Sequence, residues 1–339
     1  MRVLVATDAW RPQINGVVRS LEHLAGEAPS FGAEISFLTP NGFRTLPLPG
    51  YREIRLALTS PDAVRRAISA ARPDAVHIAT EGPLGWITRH VCRKDSHPFT
   101  TSYHTRLPEY LAARLPVPST LSYAALRRFH NSGAGTMVGS PTLERDLKAR
   151  GFCHLMRWSL GVDADLFRPR RERPLAFPGP VFLFVGRLAV EKNIESFLKL
   201  DLPGSKVVVG DGPLRAGLRA KFPGVHFLGV RTGEALAEVY ASADVLVFPS
   251  LTDTFGMVMV EALACGVPVA AFPVMGPLDV VGRSGCGRLD ADLRQAALGA
   301  LDVPRDRCRA HALTFTWQAS ARQFLDNVRQ ASGVFVGAA

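Results

Sequence analysis

Two doubly wound α/β domains facing each other across a cleft are what this sequence predicts, and three observations carry the expectation. The chain of 339 residues is too long for one compact core and suits two domains of roughly 150 residues each. Short apolar runs alternate with helix-patterned segments in both halves, without the strict alternation of a strand that has one wet face. Strands buried on both faces of a parallel sheet read this way. Between the two series lies a proline- and arginine-rich stretch, Phe167 to Pro180. The expected division is 1–165 for an N-terminal Rossmann-like domain, 166–315 for a second one, and 316–339 for a C-terminal helix that can pack back on the first.

In the first series, Val3–Thr7, Ile35–Thr39, Ala75–Ala79, Phe99–Tyr103 and Thr136–Gly139 read as strands. Val17–Ala28, Pro61–Ala71, Leu84–Arg93, Ser119–Asn131 and Pro141–Arg150 read as the helices that join them. The second series has strands at Val181–Val185, Lys206–Val209, Val225–Leu228, Val245–Phe248 and Val269–Phe272. Its helices are Glu191–Leu200, Pro213–Lys221, Gly233–Ala241 and Phe255–Cys265. In sheets of this kind ligands sit beyond the carboxyl ends of the strands, so the residues just after each strand are where chemistry is sought.

Composition excludes several classes. At 47% hydrophobic and 21% charged residues, the chain is an ordinary globular protein rather than a disordered or fibrous one. Apolar stretches such as Met257 to Ala264 fall well short of the ~20 residues of a membrane span. The start, Val3-Leu4-Val5-Ala6, has no basic leader or cleavage site and reads as a strand, not a signal peptide. Five scattered cysteines with no C-x-x-C pair suit a reducing cytoplasm and argue against a disulfide scaffold or zinc site. Forty basic residues against thirty acidic ones, a net +10, favour anionic partners. That surplus is spread over both halves, and no zinc pattern, RNA-recognition signature or aromatic–basic interleaving accompanies it. Nucleic acid is therefore not an expected partner.

Four segments at strand ends carry candidate chemistry. After the first strand, Asn15-Gly16 opens a helix, where a glycine lets phosphate approach the free N–H groups at the positive helix end. The segment is neither a Walker loop nor G-x-G-x-x-G, which counts against P-loop and hydride chemistry. After the fourth strand comes Tyr103-His104-Thr105, placing His104 as a hydrogen-bond or proton-transfer group. The second series opens with Arg187 at a strand end and Lys192 near a helix start, where the dipole favours acids. An anion such as a diphosphate between them removes the misfit. In Asp253-Thr254-Phe255-Gly256-Met257-Val258-Met259-Val260-Glu261, one acid precedes a helix and a second follows eight residues later, about 80° around it. The turn Thr254-Phe255-Gly256 presents backbone N–H groups to phosphate. Glu261 lies in an otherwise apolar, buried helix and needs a polar partner such as a ribose diol. Two D-x-D pairs mimic a metal motif but are set aside: Asp163/Asp165 lies in the linker, and Asp290/Asp292 starts a late helix, where paired acids are ordinary. The turn Gly210-Asp211-Gly212-Pro213 lacks the third glycine of a dinucleotide loop and reads as a helix start.

In this order, the segments resemble the retaining glycosyltransferases of family 4, of the GT-B fold, over nearly the whole chain. The resemblance implies that Gly16 lies near the donor phosphates and His104 near the transferred sugar, and that Arg187 and Lys192 hold the donor diphosphate. It makes Asp253 and Glu261 the acids of the E-x7-E motif, the first facing the sugar and the second the nucleotide ribose. Here the first acid is the shorter Asp. The segments Thr7 to Gln13, Ser102 to Arg106 and Thr252 to Gly256 are similar to the branch of bacterial lipid glycosyltransferases, sulfoquinovosyl- and mannosyltransferase-like enzymes included.

The resemblance thus implies transfer of a hexosyl group from a UDP- or GDP-sugar to a hydroxyl, with no cofactor and no metal ion. The expected acceptor is a membrane lipid such as diacylglycerol. The basic pairs Arg65-Arg66, Arg93-Lys94 and Arg127-Arg128 suggest peripheral attachment to anionic lipid, on the cytoplasmic face of the membrane. A soluble glycan or polysaccharide acceptor, or a sugar-nucleotide epimerase of the same two-domain fold, are the alternatives.

Overall fold

The computed structural model describes residues 1–13, 15–48, 51–112 and 118–333. The chain divides into two units, Met1–Leu160 with Trp317–Ala339, and Gly161–Thr316. The changes of unit thus fall at Gly161 and Trp317, against 166 and 316 in the sequence reading; of the last segment, residues 334–339 lie outside the described residues.

The first unit contains β1 (Arg2–Ala6), α1 (Gly16–Glu27), β2 (Glu34–Leu38), β3 (Arg44–Leu48), β4 (Tyr51–Leu58), α2 (Pro61–Ala71), β5 (Ala75–Ile78) and α3 (Pro83–Lys94). It continues through β6 (Phe99–Tyr103), α4 (Leu107–Ala112), α5 (Ser119–His130), β7 (Gly135–Val138), α6 (Pro141–Ala149) and β8 (Leu155–Arg157). Its main sheet runs β2-β1-β5-β6-β7-β8, every pair parallel. Strand alternation then decides which residue meets which layer. Val3 and Val5 of β1 join Leu21 and Leu24 of α1, while Leu4 and Ala6 join Val64 of α2 and Leu84 and Val91 of α3. Both faces are covered, so the run carries no polar alternation.

The second unit contains β9 (Val181–Val185), α7 (Ile194–Leu198), β10 (Ser205–Val209), α8 (Arg215–Lys221), β11 (His226–Gly229), α9 (Gly233–Ala241), β12 (Val245–Phe248) and α10 (Met257–Ala264). β13 (Val269–Ala271), α11 (Pro277–Val280), β14 (Gly287–Leu289), α12 (Leu293–Ala300) and α13 (Arg305–Ala312) complete it. Its sheet is again parallel, in the order β11-β10-β9-β12-β13-β14. Phe182 and Phe184 of β9 pack with Ile194, Phe197 and Leu198 of α7 and with Ala296 and Ala297 of α12. The last helix, α14 (Trp317–Ser332), belongs to the first unit, where Phe324, Leu325 and Val328 are buried with Val3 and Val5.

Both units are Rossmann-like, and four differences from the sequence reading have physical causes. The antiparallel hairpin β3–β4 went unread because Pro47 interrupts its first strand. The helix expected from Glu191 to Leu200 is broken: Val190–Lys192 is a single 3₁₀ turn, and Asn193 at φ 51° sits in the left-handed region before α7 begins. Lys192 is therefore not in the first turn of an α-helix, and the dipole misfit argued for it does not arise. Asp253 precedes α10 by four residues, so the 80° helical phase between it and Glu261 does not apply either. At the turn after β10, the helix starts at Arg215 rather than Pro213, and the glycines answer to close packing. A Cβ on Gly210 or Gly212 would lie 1.9 Å from the Gly186 carbonyl oxygen or 2.5 Å from that of Leu188.

Candidate active site

In the first unit, the loops after β1 and β5, at the carboxyl edge of the sheet, form one hydrogen-bonded group. Asn15 caps α1, its Oδ1 accepting the Val18 N–H at 3.0 Å, and thereby fixes Gly16 as the first helical residue. Asp8, two residues past β1, is 7% exposed. It accepts the N–H groups of Leu84 (2.8 Å) and Gly85 (3.1 Å) and the Thr80 hydroxyl (3.0 Å). Burial raises the Asp8 pKa, and those donors work against the rise. Asp8 thus caps α3 from a distant strand, a role open only because Gly82 and Gly85 lack side chains. A Cβ on Gly82 would lie 2.3 Å from Asp8 Cγ, and one on Gly85 2.0 Å from the Thr80 carbonyl oxygen.

His104 follows β6 directly, its ring edge-on to Trp158 at 5.4 Å. Although its residue surface is partly exposed, burial of the ring, then the neighbouring His130, pushes its pKa down to about 4. The ring is neutral at pH 7. Beside it lie two fully buried histidines. His77 Nδ1 is 2.8 Å from Thr100 Oγ1 and its Nε2 2.9 Å from Ser102 Oγ. His130 Nδ1 is 2.8 Å from Thr101 Oγ1 and its Nε2 3.1 Å from Glu81 Oε1.

In the second unit, Arg187 stands two residues past β9, half-buried. Lys192 Nζ donates to Asp253 Oδ1 at 2.5 Å, with the two side chains 24% and 13% exposed. The other Asp253 oxygen, Oδ2, is buried and has no hydrogen-bond partner among the described residues. The 3₁₀ turn and the loop after β12 are tied together by Asn193 Nδ2, which donates to the Pro249 carbonyl at 3.1 Å. Phe255 is turned inward, edge-on to Phe315. Gly256 opens α10 at φ 86°, where a Cβ would lie 2.7 Å from Met259 Cε and 2.9 Å from Phe248 Cζ. Glu261 is 3% exposed and accepts a hydrogen bond from Tyr240 Oη at 2.9 Å. The partner that its burial demands is supplied within the protein, so the need for a partner is not by itself an argument for a ribose.

The sequence-selected residues thus gather at strand ends within their own units, and Lys192 and Asp253 are brought into direct contact. Glu81, His130 and Tyr240 were missed. Glu81 was within reach, as an acid just past a strand; nothing in the sequence marks His130 or Tyr240. The two D-x-D pairs serve the backbone. Asp163 Oδ1 accepts the Leu166 N–H at 2.9 Å, and Asp292 Oδ1 caps α12 through the Arg294 N–H at 2.8 Å. Among the basic pairs, Arg65 is ion-paired with Asp62 (2.7 Å) and Asp95 (2.8 Å), which reduces the charge that side of α2 offers to a partner.

Two parallel-sheet Rossmann-like units, with cationic and acidic side chains collected at the strand ends, are the architecture of the GT-B glycosyltransferases. The family description "Glycosyltransferase Family 4" matches residues 14–166, and "Glycosyl transferases group 1" matches residues 179–301. The chain is 33% identical over 309 residues to the GDP-mannose-dependent alpha-mannosyltransferase of Mycobacterium tuberculosis, covering 83% of this chain and 81% of that one. It is 31% identical over 269 residues to the sulfoquinovosyl transferase SQD2 of Arabidopsis thaliana, covering 72% and 52%. Among solved structures, sucrose-phosphate synthase from Thermosynechococcus elongatus superposes with a TM-score of 0.79 at 21% identity, covering 97% of this chain and 98% of that one. Anabaena HepE in complex with UDP and glucose superposes at 0.74 and 16%, covering 97% and 100%. The chain belongs to glycosyltransferase family 4. It is a glycosyltransferase of the GT-B type, as the resemblance implied.

Proposed function

We propose that this glycosyltransferase moves mannose from GDP-mannose to a hydroxyl of a membrane lipid such as diacylglycerol, with retention at the anomeric carbon and without a cofactor or metal ion. The observation that carries the reading is the Lys192–Asp253 pair with its second, buried Asp253 oxygen, which has no hydrogen-bond partner among the described residues. A lysine already neutralised by an acid can be shared with a diphosphate, and the second carboxylate oxygen can accept a sugar hydroxyl. The donor follows the relatives whose names specify GDP-mannose, in Mycobacterium tuberculosis, Mycolicibacterium smegmatis and Corynebacterium glutamicum.

As the sugar–phosphate bond breaks, charge builds on the β-phosphate while the sugar becomes oxocarbenium-like. Arg187, Lys192, the Gly16 helix start and the turn Thr254-Phe255-Gly256 supply the donors that stabilise the leaving charge. Asp253 orients the sugar hydroxyls, with its short side chain drawn to Lys192. Neutral His104 hydrogen-bonds the transferred sugar, and Glu261, steadied by Tyr240, holds the ribose. The acceptor hydroxyl attacks from the face the diphosphate leaves, and the leaving phosphate takes its proton. Peripheral attachment to the cytoplasmic membrane face completes the reading. Among the described residues no helix is long and apolar enough to cross a membrane.

The test incubates the protein with a panel of UDP- and GDP-sugars, with and without diacylglycerol vesicles, in EDTA. GDP-mannose is expected to raise the melting temperature, since a ligand at 100 times its Kd adds about 2.7 kcal/mol. With vesicles, an α-linked mannolipid is the expected product, identified by its anomeric NMR coupling. A β-linked product, a product made only on soluble glycans, or an isomerised donor without acceptor would each overturn the corresponding part.

A further inference from the structure

Strand β6 is unlike its neighbours. A strand buried on both faces of a parallel sheet is ordinarily Val, Ile or Leu; β6 reads Phe-Thr-Thr-Ser-Tyr, and all five residues are buried. Its three aliphatic hydroxyls, Thr100, Thr101 and Ser102, alternate between the faces of the sheet, and on each face a fully buried imidazole meets them. On one face, the two nitrogens of His77 reach Thr100 and Ser102 at 2.8 and 2.9 Å. On the other, His130 reaches Thr101 at 2.8 Å, and Thr101 in turn donates to Thr136 of β7 at 3.2 Å.

The far nitrogen of His130 lies 3.1 Å from Glu81, a carboxylate side chain only 8% exposed. His130 is the last residue of α5. The end of that helix is held in place by Arg89, which donates to the carbonyls of Arg128 (2.9 Å) and Phe129 (3.2 Å). Glu81 follows Thr80, whose hydroxyl meets Asp8. The chain Glu81–His130–Thr101 thus ties the loop after β5 and the end of α5 to the strand that ends one residue before His104.

We propose that Glu81 and His130 are positioning residues for His104, fixing the roll and depth of β6 so that the His104 ring is presented in a single orientation. This rests on reading His104 as the group that meets the transferred sugar. A buried polar chain is an expensive way to stabilise a core, since apolar residues of similar volume do as well or better. What it supplies is direction: hydrogen bonds specify one register where dispersion contacts tolerate several. On its own face of the sheet His130 meets the Thr101 hydroxyl and the Glu81 carboxylate, with the Tyr103 ring 5.4 Å away, and of these only Glu81 is a carboxylic acid.

The test is read first without any donor. The full chain labelled with ¹⁵N-histidine is compared with Glu81→Gln and Thr101→Val, which cut the chain on opposite sides of the His130 ring. In both variants the His104 ring signals are expected to shift or split, and in the hydroxyl-keeping Thr101→Ser they are expected to match wild type. With GDP-mannose as donor, kcat is expected to fall roughly tenfold to a hundredfold at unchanged KM in the two disruptive variants. His104 signals that superpose on wild type in either folded variant, while those of His130 move, overturn the proposal. Because the ring signals need no substrate, absent turnover of GDP-mannose counts against the donor reading alone.

Discussion

At the residue scale, the site is built from charges and rings that the fold has partly removed from water. His104, at about pH 4, and His77, also shifted downward by burial, are neutral in the folded protein, whereas in an unfolded chain a histidine titrates near 6.5. Between these values the unfolded chain binds protons that the folded one refuses, so stability falls as pH drops from 6.5 towards 4. His104 alone contributes at most about 2 kcal/mol of that loss at pH 5. The urea midpoint is expected to be lower at pH 5 than at pH 7, and the gap to narrow in His104→Gln; an unchanged gap would show that the ring titrates normally. Lys192→Met tests the other pair. Loss of one charge-assisted contact to a diphosphate should weaken GDP binding by roughly tenfold to a hundredfold in calorimetry. Equal binding by the variant would remove Lys192 from the donor site.

At the element scale, short connections decide where these side chains end up, and here the sequence was partly legible. β6 and β12 carry His104 and the Asp253 loop, and their runs Phe99–Tyr103 and Val245–Phe248 are both legible as written. The 3₁₀ turn at Val190–Lys192 was not, because nothing local to Glu191-Lys192-Asn193 forbids a continuous helix. The break depends on Asn193 reaching across to the Pro249 carbonyl, 56 residues away. Tyr240 escaped for the same reason: a tyrosine in α9 becomes the partner of Glu261 only once α9 and α10 are packed. Gly256, by contrast, is needed where it stands, at φ 86° and with Met259 and Phe248 closing the space. Gly256→Ala is expected to cost more than ~1 kcal/mol and to lower transfer by more than the loss of folded protein explains. Melting curves and specific activity measured together check this.

At the scale of the whole molecule, the doubled α/β series was readable because strands such as β1, β9 and β12, covered on both faces, record that in their apolar runs. The return of α14 to the first unit was legible only as an option; its evidence is the packing of Phe324, Leu325 and Val328 beside Val3 and Val5. Phe324→Ala is expected to destabilise the first unit by about 3–5 kcal/mol. The unit that loses stability can be read from hydrogen exchange: faster exchange in β1 and α1, with β9 and β12 unchanged, is the expected pattern. Exchange that rises equally in both units would mean that the two do not unfold separately.

That return of α14 also bears on biosynthesis. The second unit is one uninterrupted stretch, Gly161–Thr316, while the first needs a helix that lies beyond it in the chain. A ribosome working from the N-terminus therefore delivers all of the second core before the last piece of the first. The usual order, N-terminal domain first, is inverted for the final closure. Until Trp317–Ser332 emerges, Val3 and Val5 lack one wall of their core, and the nascent first half is the stretch a chaperone has reason to hold.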